Sequence, residues 1–200
     1  MHVRVNTATG ASDIDGAIRF VEEAVLPEVR EHKGFAGLTV SGNRSTGDLS
    51  VLTIWETEAD RDASEGLSEK VRTEAVEKFG GQMRVERYEQ ALFETADVPP
   101  GPGAKLHIRE VRMNPADVDE NLAFFRESVV PDMKSTPGFL GVRQLIDRKT
   151  GEGRVGSVWA DEASLTAQLE KSEQRRAAAA TERRVEFGDD SIADVLFIAR

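Results

Sequence analysis

The chain contains no cysteine among its 200 residues. This absence excludes disulfides, thiolate nucleophiles and thiolate metal sites. The sequence also has no run of about 18 apolar residues, the length that a membrane-spanning helix needs. Its first residues, Met1 to Val5, lack the basic start and apolar stretch of a signal peptide. We therefore expect a soluble, cytoplasmic protein without a membrane partner.

Positive charge is scarce as well. The chain has 26 Lys and Arg against 36 Asp and Glu, a formal net charge of −10. Nucleic-acid-binding proteins draw most of their affinity from Lys and Arg at phosphates, so we expect no nucleic-acid partner. The one basic cluster, at residues 175–176 and 183–184, is interpreted as a solvated helix face rather than a binding patch.

The chain does contain an internal repeat. Residues 33–37, Lys-Gly-Phe-Ala-Gly, recur as Pro-Gly-Phe-Leu-Gly at residues 137–141, and the same offset of 104 relates Trp55 to Trp159. The offset continues without a gap to the last strand, where it matches Leu92 with Leu196. Two copies are too few for a solenoid, so the pattern predicts two similar domains. The predicted parts are a first domain at 1–95, a Pro/Gly linker at 96–103 and a second domain at 104–200.

Both copies have the same predicted order of elements. A short alternating strand precedes an amphipathic helix, in which Pro27 or Pro131 predicts a kink. Two strands, a second helix and a last strand follow. The order βαββαβ predicts the α+β class and a ferredoxin-like antiparallel sheet. Because strand residues 49–56 are apolar on both faces, the sheet must be covered on both. We expect two ferredoxin-like repeats packed sheet to sheet as an intrachain dimeric α+β barrel.

These motifs resemble the antibiotic biosynthesis monooxygenase family of dimeric α+β barrels. The resemblance rests on Gly-Phe-Ala-Gly at 34–37 and Leu-Thr-Ile-Trp-Glu at 52–56, and the second copy repeats it at 138–141 and 157–160. It covers nearly the whole chain twice. It implies that the barrel which other members form by dimerising is built here within one polypeptide. The family includes cofactor-independent oxygenases of phenols and haem-degrading enzymes.

The resemblance implies a site between the helices and the sheet of each copy. An Asn on the first strand recurs in the family's oxygenases, and Asn6 stands at the matching place. We predict Asn6 as a catalytic residue, with bonding to local backbone as the alternative. The first strand of the second copy has no Asn, so the first copy is the better candidate. The residues predicted to contact a substrate, with core packing as the alternative for the aromatic ones, are Phe20, Phe35, Trp55, Tyr88, His107, Phe124 and Trp159.

Haem degradation is less favoured by the sequence. Haem iron needs an axial ligand, which the family takes from the second helix, and residues 58–79 and 161–184 contain neither His nor Trp. No phosphate-binding loop or HExxH motif occurs, so we expect no metal and no cofactor. The expected function is a cofactor-independent monooxygenase-like reaction on a small aromatic or phenolic compound. The alternative is a non-catalytic small-ligand-binding or stress-responsive barrel, as a monomer or as a further homodimer.

Overall fold

The computed structural model describes the backbone of all 200 residues, and all side chains except those of residues 174–180 and 182. The basic pair at 175–176 therefore lies outside the described side chains. The chain divides into two compact units: unit 1 comprises Met1–Arg87 and Asp194–Arg200, and unit 2 comprises Tyr88–Ala193. The domain boundaries predicted from the repeat stay a prediction. The compact units divide the chain after Arg87 and after Ala193 instead.

In unit 1 the strands β4 (Gln82–Thr95), β1 (His2–Thr9), β3 (Asp48–Trp55) and β2 (Phe35–Asn43) lie side by side in that order, and the end of β8 (Glu186–Ala199) is added beside β2. The central strand β3 pairs antiparallel with β1, where Arg4 faces Thr53, and with β2, where Leu38 also faces Thr53. On the other side of β2, Leu38 faces Ala199 of β8. The elements of this unit are β1 (His2–Thr9), α1 (Ile14–Phe20), α2 (Leu26–Arg30), β2 (Phe35–Asn43), β3 (Asp48–Trp55), α3 (Glu58–Ala63), α4 (Glu65–Phe79) and the start of β4 (Gln82–Thr95).

Unit 2 repeats this arrangement with the order β8-β5-β7-β6, followed by the end of β4 beside β6. The central strand β7 pairs antiparallel with β5, where Lys105 faces Trp159, and with β6. Thr95 of β4 faces Gly141 of β6. The elements are β5 (Lys105–Arg112), a 3-10 turn (Pro115–Asp117), α5 (Val118–Phe124), α6 (Val130–Lys134), β6 (Phe139–Ile146), β7 (Glu152–Trp159), α7 (Glu162–Glu182) and β8 (Glu186–Ala199).

Strands β4 and β8 are the longest, with 14 residues each. Each contributes residues to both units, so the antiparallel sheet of each unit contains a part of β4 and a part of β8. The predicted α+β class with a ferredoxin-like antiparallel sheet in each unit is confirmed. No helix in the described part of the chain is both long and apolar enough to span a membrane.

The irregularity expected at the two prolines takes the form of a π-helical segment. Residues Val21–Val25 are π-helical and lead into α2, which has Pro27 in its first turn. Residues Phe125–Val129 and Pro131 repeat this pattern in unit 2. Proline has no amide hydrogen to donate, so the α-helical ladder is interrupted there whatever the geometry. The wider π turn accommodates that interruption in both units.

The first strand of each copy shows that the repeat is not in constant register. Thr53 of β3 pairs with Arg4, whereas its equivalent Ser157 of β7 pairs with His107. Arg4 and His107 are therefore equivalent, at an offset of 103 rather than 104. The connection from the first strand to the first helix is one residue longer in the second copy, and this insertion accounts for the difference.

The last strand shifts in the opposite direction. Val40 of β2 pairs with Phe197, and the equivalent Gln144 of β6 pairs with Leu92. Leu92 and Phe197 are thus equivalent at an offset of 105, and the gap-free match of Leu92 with Leu196 is wrong. Because successive strand residues point to opposite faces, a shift of one position exchanges the side chains on the two faces.

Gly151, in the turn between β6 and β7, provides a test of this packing. Its φ is +73°, and a Cβ atom there would lie 1.8 Å from the carbonyl oxygen of Met113. Gly10 has a similar φ of +72° with no atom within 4 Å of its Cβ position. We expect Gly10→Ala to cost roughly 1–2 kcal/mol, the strain of a left-handed residue. Gly151→Ala should cost clearly more, because backbone atoms must also move.

Denaturant unfolding of both variants measures this difference. Gly66→Ala is the control, because Gly66 lies in α4 with open space at its Cβ position. Alanine there should be neutral or stabilise by up to about 1 kcal/mol. Equal losses at Gly10 and Gly151 would show that the close approach to Met113 is absent.

Candidate functional site

Unit 2 encloses a cavity of about 210 Å³ between its helices and its strands. Alternate residues of β5 line it because they point to the same face of the sheet. Two of these are polar, His107 and Arg109, and both are more than nine-tenths buried. The rest of the wall combines polar with apolar and aromatic side chains. The polar ones are Asn121, Gln144, Ser157, Gln168, Ser172 and Arg183, and the others are Val111, Met113, Phe124, Phe125, Val129, Met133, Val155, Leu169, Val185 and Phe187.

Two amide side chains in this wall have an oxygen without a partner. Asn121 of α5 and Gln144 of β6 are 6% and 3% exposed, and their Oδ1 and Oε1 atoms find no hydrogen-bond donor among the described residues. Asn121 Nδ2 donates to the carbonyl oxygen of Asp117 at 3.1 Å, which fixes the orientation of that amide. An unsatisfied buried acceptor costs roughly 1–3 kcal/mol. Such groups in a cavity wall indicate a ligand or water that brings hydrogen to them.

His107 and Arg109 are both held by Asp190 of β8. Arg109 donates to both carboxylate oxygens of Asp190, and His107 Nε2 lies 3.2 Å from Asp190 Oδ1. Partial burial acts to raise the pKa of Asp190, but the hydrogen bonds and charge of Arg109, with His107, outweigh it and lower that pKa. Asp190 is therefore ionised at neutral pH. It orients the imidazole and compensates the guanidinium charge.

Unit 1 has a smaller cavity, of about 80 Å³, at the equivalent place. Helices α1 and α4 and strands β1 and β3 line it. Arg4 and Asn6 enter it from alternate positions of β1, and Ser68 and Arg72 enter it from α4. In the described part of the chain, no group of three or more His, Asp and Glu side chains is arranged to hold a metal ion, in this cavity or elsewhere.

Glu65 organises the charges beside the unit 1 cavity. Its carboxylate contacts Arg72 and Arg87 at 2.7 Å each and Arg4 at 2.9 Å. Burial acts to raise the pKa of Glu65, but hydrogen bonds from Arg87 and Arg72 and the charge of Arg4 bring that pKa down to about 2. Arg4 is only 1% exposed, and this burial lowers the pKa of its guanidinium. One carboxylate thus serves three guanidinium groups.

The structure distributes the sequence-predicted residues over the two cavities. Asn6, Phe20 and Trp55 line the unit 1 cavity. His107 and Phe124 line the unit 2 cavity. The predicted residues therefore do not converge on one site. Their roles in binding or catalysis stay predictions.

Three further predicted residues line neither cavity. Phe35 packs edge-on against Trp55, with ring centroids 5.7 Å apart, and Phe139 contacts Trp159 in the same way at 5.6 Å. Trp159 is completely buried, and its Nε1 donates to Ser157 Oγ at 3.0 Å. Tyr88 is also buried. Phe35, Tyr88 and Trp159 thus pack in the core and line neither of these two cavities, and their roles in substrate binding stay predictions.

The sequence interpretation did not identify Asn121 and Gln144. A signal for both was present in the repeat, because they stand at the positions of Ala17 and Val40, which are buried apolar residues in the first copy. A polar side chain that replaces a core residue in only one copy indicates a local need for polarity. Comparing the two copies position by position would have found both.

Arg109 was missed for a different reason. At the constant offset of 104 it matches Val5, a core residue. Strand pairing shows instead that Asn6 faces Val51 and Arg109 faces the equivalent Val155. Arg109 is therefore the counterpart of Asn6. The second copy lacks an Asn on its first strand because an arginine occupies that place.

No family model matches the sequence. Two uncharacterized proteins of Mycobacterium tuberculosis are similar to it. Rv2557 is 28% identical over 191 residues, which cover 95% of this chain and 84% of that protein. Rv2558 is 30% identical over 135 residues, which cover 67% of this chain and 56% of that protein. Neither name states an activity.

Solved structures share the fold over almost the whole chain. A proposed monooxygenase of Fusobacterium nucleatum superposes with a TM-score of 0.69 at 13% identity, covering 100% of this chain and 94% of that one. An anthrone oxidase-like protein gives 0.67 at 18% identity, covering 99% and 92%. A Listeria monocytogenes ferredoxin fold protein related to antibiotic biosynthesis monooxygenases gives 0.53 at 12% identity, covering 98% and 95%. At these identities the likeness shows the fold.

The Glu65 cluster predicts a specific pH dependence of stability. Glu65→Gln removes the carboxylate that three arginines share, so we expect the variant to unfold at a lower denaturant concentration at pH 7. The pKa of Glu65 falls from 4.5 to about 2 on folding, so its contribution is complete above about pH 5. The difference between wild type and variant should shrink as the pH falls from 4.5 towards 2.

Denaturant unfolding as a function of pH measures this difference. Glu74→Gln is the control, because Glu74 pairs only with the exposed Lys78 one helical turn away. Such a surface pair contributes little, so the control should change stability by less than about 0.5 kcal/mol. A loss in Glu65→Gln that is the same at pH 7 and pH 2.5 would contradict the ion-pair explanation.

Proposed function

We propose that the protein is an oxygenase-like enzyme of the antibiotic biosynthesis monooxygenase type that oxidises a small phenolic compound in the unit 2 cavity. The observation that carries this proposal is the combination of an aromatic wall with two unpartnered amide oxygens, those of Asn121 and Gln144. The fold shared with one structure named as a monooxygenase and another named as an anthrone oxidase-like protein supports the type of chemistry.

Cavity volume favours unit 2 for an aromatic ligand. A protein cavity of about 150 Å³ lined by apolar side chains accommodates one benzene molecule. The unit 2 cavity, at about 210 Å³, has room for one substituted ring, whereas the unit 1 cavity, at about 80 Å³, does not. The rings of Phe124, Phe125 and Phe187 offer edges and faces to such a ligand.

The amide oxygens determine which substituents the ring carries. Both are acceptors, so they bind hydroxyl or amino groups that donate hydrogen. A methyl ether of the same size has no hydrogen to donate and would leave Asn121 Oδ1 and Gln144 Oε1 buried and unpaired. Sites built around buried polar groups reject such analogues strongly. The preferred ligand is therefore a ring with more than one hydroxyl group.

His107 and Arg109 provide the chemistry beside the ring. His107 takes a proton from one phenolic hydroxyl, with Asp190 stabilising the imidazolium that forms. Arg109 adds positive charge next to the developing phenolate. The phenolate is the electron source and O₂ the oxidant: one oxygen atom enters an open ring position and the other leaves as water. A phenol and O₂ thus give a quinone and water, a balance that requires no organic cofactor and no metal.

Asn6 is the other proposed catalytic residue. In that version of the mechanism, its amide orients substrate or oxygen in the unit 1 cavity, with Phe20 and Trp55 forming the wall. The small volume of this cavity is the reason that we assign the ring to unit 2. An Asn6→Ala variant distinguishes the two assignments.

Ligand preference tests the role of the amide oxygens. We expect calorimetric titration to show that catechol binds at least about tenfold more tightly than 1,2-dimethoxybenzene, since each lost hydrogen bond leaves an unpaired acceptor. The variants Asn121→Ala and Gln144→Val introduce the residues of the first copy. In them, the ratio of the affinity for catechol to that for 1,2-dimethoxybenzene should fall towards one. Gln90→Leu is the matched control, because Gln90 Oε1 is also buried and unpartnered but lies outside the cavity. Equal affinity of wild type for both compounds would refute the role of the amides.

Oxygen consumption tests the reaction itself. With catechol or hydroquinone, we expect wild type to consume O₂ and His107→Ala to be slower by about a hundredfold, the usual effect of losing a general base. Asn6→Ala should retain the wild-type rate. If Asn6→Ala lowered the rate of O₂ consumption and His107→Ala did not, the reaction would be assigned to the unit 1 cavity instead. Tight catechol binding without oxygen uptake would instead support the non-catalytic ligand-binding alternative.

A further inference from the structure

We infer that the unit 1 cavity is a second, separate ligand site, one that binds a small carboxylate or a similar oxyanion. The site consists of Arg4 and Asn6 on β1 and of Ser68 and Arg72 on α4. Its size, its hydrogen-bonding groups and its charge each point to such an anion.

Size limits the ligand to a few atoms. A protein cavity of about 150 Å³ accommodates one benzene molecule, so a cavity of about 80 Å³ takes a ligand clearly smaller than a ring. Formate, acetate and bicarbonate have three or four heavy atoms and fall within this limit. A benzoate ring does not.

The cavity offers hydrogen-bond donors. Arg72 Nη1 donates to Asn6 Oδ1 at 3.4 Å and to Ser68 Oγ at 2.7 Å. Because these bonds engage the acceptor side of both groups, what remains for a ligand is the amide N–H of Asn6 and the hydroxyl hydrogen of Ser68. Arg4 Nε, in a side chain that is 1% exposed, has no acceptor among the described residues. A carboxylate accepts hydrogen bonds and donates none, so it matches this set.

Charge favours the same ligand. Arg4, Arg72 and Arg87 share the single carboxylate of Glu65, which leaves the cluster with a net charge of about +2. The neighbouring Arg61 forms its ion pairs with Glu58 and Asp62 of α3 rather than with Glu65. Burial of a positive charge without a full partner is unfavourable, and an anion in the cavity relieves it.

The two cavities therefore have opposite hydrogen-bonding character. In unit 2 the arginine on the first strand, Arg109, shares Asp190 only with His107 among the residues that line the cavity, and the unpartnered atoms of that lining are the acceptors of Asn121 and Gln144. Among the described residues that line the unit 1 cavity, the unpartnered atom is the donor Arg4 Nε. A ligand suited to one cavity does not suit the other.

The test is a calorimetric titration of the whole chain with sodium acetate, against sodium chloride at the same ionic strength and without any phenol present. We expect saturable acetate binding, at least tenfold weaker binding of benzoate, and only general salt effects with chloride. Arg72→Gln and Ser68→Ala should weaken acetate binding at least tenfold. Arg44→Gln is the control, because it removes the same charge from an exposed ion pair with Asp15 and should leave binding unchanged.

Arg4→Gln is a weaker test, because Arg4 also bonds Ser64 Oγ and the Arg61 carbonyl oxygen, and the variant could fail to fold. Ser68→Ala keeps every arginine, so folding is preserved while one donor is lost. The proposal is overturned if acetate shows no saturable binding, if chloride produces the same effect, or if Arg44→Gln weakens binding as much as Arg72→Gln. Because no phenol or oxygen is involved, each of these outcomes is independent of the proposed oxidation.

Discussion

The antiparallel pairing of β1 with β3, and of β5 with β7, determines which polar side chains enter each cavity. Side chains along a strand alternate between the two faces of the sheet. With Arg4 opposite Thr53, the residues Arg4 and Asn6 share the face that borders the unit 1 cavity. With His107 opposite Ser157, it is His107 and Arg109 that border the unit 2 cavity. A shift of either pairing by one residue would replace these polar side chains with their strand neighbours.

Arginine is the common element of the two sites, and its carboxylate partner distinguishes them. Arg109 forms a complete ion pair with Asp190, so the polarity left in unit 2 comes from amide oxygens. Arg4 shares Glu65 with two other arginines, so unit 1 retains positive charge and an unused donor. The two proposed ligand chemistries thus share one βαββαβ framework. The framework alone does not predict either, because fold and site chemistry are separable.

The proposed oxidation assigns the reactive functions to side chains that differ between the copies. His107, Asn121 and Gln144 stand where the first copy has Arg4, Ala17 and Val40. The shared residues, such as Trp55 and Trp159, are fully buried and maintain the core. Features common to both copies therefore describe the scaffold. Features present in one copy describe its ligand.

Local patterns in the sequence were sufficient to determine the α+β class, the βαββαβ order and the irregular helices at Pro27 and Pro131. Each of these depends on residues close in the chain, through side-chain periodicity or through the missing amide hydrogen of proline. Tertiary structure alone decided the register of the first and last strands. Loops that differ in length by one residue change which face a side chain takes, and only hydrogen bonding to a neighbouring strand reveals that change. The counterpart of Asn6, the shared carboxylate of Glu65 and the unpaired oxygens of Asn121 and Gln144 all follow from such long-range contacts, which periodicity does not encode.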